Sequence, residues 1–221
     1  MKPVERRFTM PIDALKVAIG AVRLAASLDS TREHMHSVHI EREGAQLRFV
    51  ATNGHWMAVY SIMASDADGD PCEWGATLAL PDAIAIMKRK SFGEVVVDFD
   101  AKVATFVDGT MKLNVVECQY PPWREVFAKE ENKEARATIG LNPRYVGLIA
   151  ESFDAILGKP KKNDRYSKHV VCLEPGIDFG PIRVTCPEAP QLEIILAPAK
   201  QSPTSWTLGK REETEEKKKS A

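Results

Sequence analysis

Three prolines mark the same step in a pattern that runs through the 221-residue chain. Pro11, Pro81 and Pro143 each follow a short strand-like stretch, and each opens a segment with helical periodicity. Proline suits the first turn of a helix, where its missing N–H is not needed and its fixed φ is already helical. After each helical segment come three runs rich in β-branched and aromatic residues. The prolines are separated by 70 and 62 residues, which implies an internal repeat of β-α-β-β-β units. One such unit cannot bury both faces of its own sheet. The sheets must therefore continue between units, with helices packed on one face. Hairpin connections dominate over parallel crossovers, so the expected class is α+β with antiparallel sheets.

The first unit is expected to have a strand at 8–10, a helix from Pro11 to about Ser27, and strands at 35–41, 47–51 and 57–62. The polar positions of that helix, Asp13, Lys16, Gly20, Arg23 and Ser27, alternate in spacing by three and four and form one narrow stripe. It is read as a thin solvent line on an otherwise buried helix. The second unit has strands at 77–80, 94–99, 102–107 and 111–117, and a helix from Pro81 that ends in the cations Lys88, Arg89 and Lys90. The third has a strand at 137–140, a cap at Asn142, a helix to Leu157, and strands at 169–174, 182–186 and 192–196. From Gln201 the chain is polar and charged and reads as a disordered tail. The expected organisation is a two-repeat domain at 1–127, a third repeat at 128–200, and the tail at 201–221.

Composition excludes little but helps to place the protein. The net charge is −1, so nothing global marks a nucleic-acid binder, although local faces can be basic. Four cysteines without a C-x-x-C pair fit reduced thiols in a cytoplasmic protein. No apolar run is long enough to span a membrane. There is no nucleophile elbow, P-loop or H-E-x-x-H, so no enzymatic activity is expected. His34 and His36 alternate on an expected strand near His39 and His55, but no recognised ligand spacing completes a metal site. Asp66, Asp68 and Asp70 alternate without the Gly and Glu that a calcium loop needs. No metal and no cofactor is expected.

One stretch carries more than secondary structure. In Val50-Ala51-Thr52-Asn53-Gly54-His55-Trp56-Met57-Ala58-Val59-Tyr60, two apolar strands flank Asn-Gly, a strong hairpin signal. It also resembles V-A-T-D-G-H-R-L-A, the hallmark of the bacterial DNA polymerase III beta subunit, or sliding clamp, family. Tyr120-Pro121-Pro122-Trp123-Arg124-Glu125-Val126 is similar to that family's F-P-D-Y-R-R-V. The 139–146 segment resembles the strand and helix start of a clamp's last half-domain. Glu193-Ile194-Ile195-Leu196-Ala197-Pro198-Ala199 is similar to its C-terminal Y-V-V-M-P-M. The family has three domains and six repeats, so the resemblance implies a shortened clamp-like chain of three repeats.

The resemblance implies two sites. In the family, the turn, the F-P segment and the C-terminal segment line an apolar groove that takes short linear motifs. Carried over, that groove comprises Met35, Thr52, Gly54, His55, Trp56, Met57, Pro121, Val126, Ile195, Leu196, Ala197, Pro198 and Ala199. Trp56 stands where the family has Arg, and Ala197 and Ala199 stand where it has methionines. The second site is a helical face that meets duplex DNA phosphates: Lys16, Arg23, Lys88, Arg89, Lys90, Arg144, Lys159, Lys161 and Lys162. Glu151 and Asp154 share the stripe of Arg144 and oppose phosphate. The plain alternatives are ordinary core for the first set and solvated helix surface for the second. The implied function is a processivity or tethering factor in DNA replication or repair. Its partners would be duplex DNA and polymerase, clamp-loader or repair proteins, and it would act as a homo-oligomer. The alternative is a monomeric adaptor that sequesters clamp-binding partners without encircling DNA.

Overall fold

The computed structural model describes residues 5–64, 73–127, 143–159, 171–174 and 181–197. Lys161, Lys162, Pro198, Ala199, the 137–140 strand, Asn142, Asp66, Asp68, Asp70 and the tail lie outside the described residues, as does the side chain of Val126.

The fold is α+β, as the repeat pattern requires. The first unit is β1 (Arg7–Pro11), α1 (Ile12–Val22), β2 (Ser37–Glu43), β3 (Gln46–Thr52) and β4 (Trp56–Met63). The second is β5 (Glu73–Ala79), α2 (Leu80–Lys88), β6 (Glu94–Asp98), β7 (Val103–Phe106) and β8 (Gly109–Lys112). A short helix, α3 (Arg124–Phe127), precedes α4 (Pro143–Leu157), β9 (Cys172–Glu174), β10 (Ile182–Thr185) and β11 (Leu192–Leu196).

The strands form two antiparallel sheets, β1-β6-β7-β8 and β5-β2-β3-β4-β11-β10-β9. Each of the first two units gives its leading strand to the other. β1 pairs with β6, Phe8 opposite Val97, and β5 pairs with β2, Leu78 opposite Val38. β11 then extends the larger sheet beside β4, Ile195 opposite Met57 and Leu196 opposite Trp56.

One large core joins both sheets to the helices. Its centre is a ring cluster in which Phe8 lies 6.2 Å from Phe49 and from Phe99, and Trp74 lies 5.7 Å from Phe99. Because β1 and β5 are exchanged, these rings come from both sheets, and burying them fastens the sheets to each other. A second, smaller cluster of Val50, Met57, Val59, Tyr120, Trp123 and Ile195 lies on the opposite face of the large sheet.

Several expectations shift. Pro11 ends β1 and caps α1 instead of opening it, and α1 stops at Val22 before a 3₁₀ turn at Arg23–Ala25. The supposed solvent stripe is partly covered: Gly20 and Ser27 are buried. A Cβ at Gly20 would stand 3.3 Å from the Ala155 Cβ of α4, so glycine permits the close approach of the two helices. His34 and His36 lie in the turn before β2, not on a strand. β8 ends at Lys112, and Val115 makes an isolated bridge to Leu78. Among the described residues no helix is long and apolar enough to cross a membrane.

Candidate functional site

The turn between β3 and β4 is fixed by its own side chains. Asn53 Oδ1 accepts hydrogen bonds from the N–H groups of His55 at 2.9 Å and Trp56 at 3.2 Å. Thr52 Oγ1 accepts from the Gly54 N–H at 3.1 Å and donates to the Trp56 carbonyl at 2.9 Å. Gly54 takes φ +86, which glycine tolerates at no steric cost. The Met35 side chain sits over it, within 3.8 Å of where a Cβ would be. The Ala197 N–H donates to the His55 carbonyl at 2.7 Å, so the end of β11 is tied to the same turn.

Beside this turn a strap, residues 119–125, crosses the outer face of the large sheet. Its anchor is a polar cluster on β2. The Tyr120 ring stacks on His39 at 4.4 Å with the planes 7° apart. Trp123 Nε1 donates to Glu41 Oε1 at 2.9 Å, and His39 Nε2 lies 3.2 Å from the same oxygen. Arg124 pairs with Glu41 at 2.6 Å and with Glu43 at 3.7 Å, and its guanidinium lies 4.4 Å over the Trp123 ring. Burial pushes the Glu41 carboxyl up. The hydrogen bonds from His39 and Trp123 and the charge of Arg124 outweigh it, and the group is held at about 2. Burial likewise pushes the Tyr120 phenol up.

Turn, strap and β11 enclose a cavity of about 500 Å³. Met35, Thr52, Gly54, His55, Trp56, Met57, Pro121, Ile195 and Ala197 line it, together with Pro122, Trp123, Glu125 and Pro181. Trp123 and Pro122 stand in the motif that pointed to Pro121. Pro181 carries no sequence signal. Its bonded neighbour Ile182 pairs with Leu196 across β10 and β11.

One expected wall residue, Leu196, is corrected by strand phase, and a second, Trp56, belongs mainly to the core. Leu196 is 1% exposed and belongs to the helix-side core, because it stands opposite Trp56 on that face. Trp56 borders the cavity, but its side chain is 2% exposed, packs in the same core, and lies 5.9 Å from the Tyr145 ring of α4. Met57 and Ile195, one residue along each strand, are the side chains that face the groove.

The expected cationic face is uneven. Lys16 lies 3.6 Å from Asp13 and reaches the Ser91 carbonyl at 3.5 Å. Arg23 is half-buried, with Nε unpartnered. Arg89 pairs with Asp108 at 3.1 Å and lies 4.3 Å over the Phe106 ring. Lys88, Lys90, Arg144 and Lys159 are exposed. Ser91 and Arg89 together hold the Asp108 carboxyl below its usual range.

His36 Nδ1 lies 2.7 Å from the Ser27 carbonyl, and His39 is engaged with Thr77 and Glu41. No metal-holding group of three or more His, Cys, Asp or Glu occurs among the described residues.

Comparison with known proteins gives one family. The profile of the DNA polymerase III beta subunit, central domain, matches residues 9–78. The beta sliding clamp of Escherichia coli K12 is 28% identical over 172 residues, and that of Salmonella typhimurium is 27% identical. Each alignment covers 65% of this chain, and the chain spans 43% of the length of these relatives. Among solved structures, a Pseudomonas aeruginosa sliding clamp bound to griselimycin superposes with a TM-score of 0.69 at 15% identity, over 91% of this chain and 67% of that one. The Thermotoga maritima beta subunit gives 0.66 at 12% identity, over 91% and 68%. At such identities these structures establish the fold alone.

Proposed function

For this chain, a member of the DNA polymerase III beta subunit family, we propose a non-enzymatic role as a sliding-clamp-like tethering factor in DNA replication or repair. The outer-face groove takes a short linear peptide motif of a polymerase-type partner. The observation that carries this reading is convergence. Three segments far apart in sequence, 52–57, 120–125 and 195–197, enclose one apolar cavity. An extended peptide needs pockets for apolar side chains, and this cavity is lined chiefly by apolar residues. Binding of a fluorescently labelled clamp-binding peptide to the full chain tests it. The expected affinity is on the order of micromolar, weakened at least tenfold by Met57→Ala. Absence of binding at high protein concentration overturns the groove.

In this reading the helical cations contact duplex DNA through phosphate charge, within an oligomer. Three expected contacts, Lys16, Arg23 and Arg89, are paired or half-buried, and this favours a second reading in which a monomer holds partners without encircling DNA. Light scattering coupled to gel filtration separates the two. A tetramer supports the ring, and a monomer at high concentration supports the adaptor.

A further inference from the structure

The sequence pair Arg124-Glu125 is divided by the fold. Arg124 turns to the sheet, where Glu41, Glu43 and the Trp123 ring engage it. Glu125 is exposed and lines the cavity. Among the described lining residues it is the single carboxylate and, apart from the imidazole of His55, the single titratable side chain. No described cation lines the cavity to offset it: the nearest in sequence, Arg124, is neutralised by two glutamates. The remaining wall is Met, Pro, Trp, Ile, Ala and small polar residues of the turn.

Resting on the peptide-groove reading, we infer that Glu125 sets the charge preference of this site: its ligand is an extended peptide that places an apolar side chain against Met57 and Ile195 and a Lys or Arg beside Glu125. The apolar wall supplies most of the affinity and does not discriminate charge. The carboxylate at its rim does, by attracting a cation and repelling an anion.

The test uses the full chain and three labelled peptides that share one apolar anchor and differ at a single neighbouring position: Arg, Gln or Glu. Fluorescence anisotropy is read at low salt. The Arg peptide is expected to bind roughly two- to fivefold more tightly than the Gln peptide, with the Glu peptide weakest, and the spread narrows as salt rises. Glu125→Gln removes the spread and Glu125→Arg inverts it, while both variants keep the far-UV circular dichroism and thermal midpoint of the unmodified chain, which shows that the fold is intact. Equal binding of the three peptides to the unmodified chain overturns the charge inference and leaves the groove reading standing. If none binds, both fall.

Discussion

The two faces of β4 and β11 are made of the same apolar residue types and do different things. Toward the helices, Trp56, Ala58, Tyr60, Ile194 and Leu196 are sealed beneath α1 and α4. Toward the outside, Met57, Val59 and Ile195 cluster with Tyr120 and Trp123 of the strap. The helices close their face completely. The strap leaves a cavity of about 500 Å³ between itself, the turn and the end of β11. A sheet face covered by a single extended segment is part core and part cavity wall, and strand phase decides which residues point to it.

Reversing the phase of a substitution is the strongest way to break this comparison. Trp56→Ala on the helix side should cost about 3–5 kcal/mol in denaturant unfolding, since it empties a large buried site against α4. Met57→Ala, one residue away, should cost about 2 kcal/mol, the low end for a core methionine, because that side chain already borders a cavity. Its larger effect should be on peptide affinity. If the two losses are equal, the distinction between the faces fails.

Next in size is the strap. Glu41→Gln removes the charge that Arg124 pairs with and should cost about 1–3 kcal/mol. It should also shift Trp123 emission to the red as the strap loosens, measured against a Trp123→Phe control. The same carboxylate gives a pH signature. Its folded value is held at about 2 against 4.5 ordinarily, so its contribution is fully present above about pH 4.5 and is lost as the pH falls toward 2. Acid-unfolding curves should therefore be flatter in Glu41→Gln across that window, and an unchanged slope removes Glu41 as the anchor.

The smallest effects belong to the helical cations. Lys88→Glu and Lys90→Glu should leave stability within about 0.5 kcal/mol, whereas Arg89→Ala should cost about 1 kcal/mol through Asp108 and Phe106. Thermal unfolding in low and high salt checks the difference. Equal costs at all three positions remove the division between a structural arginine and its exposed neighbours.

Much of the fold is legible in the sequence because alternation and proline act locally. β11 falls at residues 192–196 and α4 spans 143–157, both as the pattern predicts. The turn is legible for the same reason: Thr52, Asn53 and Gly54 satisfy one another within a few residues. Phase at the end of β11 is not. Ile194-Ile195-Leu196 is an unbroken apolar run, so nothing local says that Ile195 faces the groove and Leu196 the core. Glu41 is likewise silent, since an isolated glutamate in a strand looks like solvent-facing polarity until Trp123 and Arg124 return to it from 82 residues away or more. Trp123 was within reach of the motif that selected Pro121, and its ring needed the sheet beneath it to become a wall.

The exchange of β1 and β5 bears on how the chain reaches its native state. Neither of the first two units can complete its sheet until the other is present, because each pairs with the leading strand of the other. A fragment ending after residue 78 would hold β1 without β6, and the ring cluster would lack Phe99. Folding of the two units is therefore concerted, slowed by pairings that must close long loops, and loss of one unit removes the other with it.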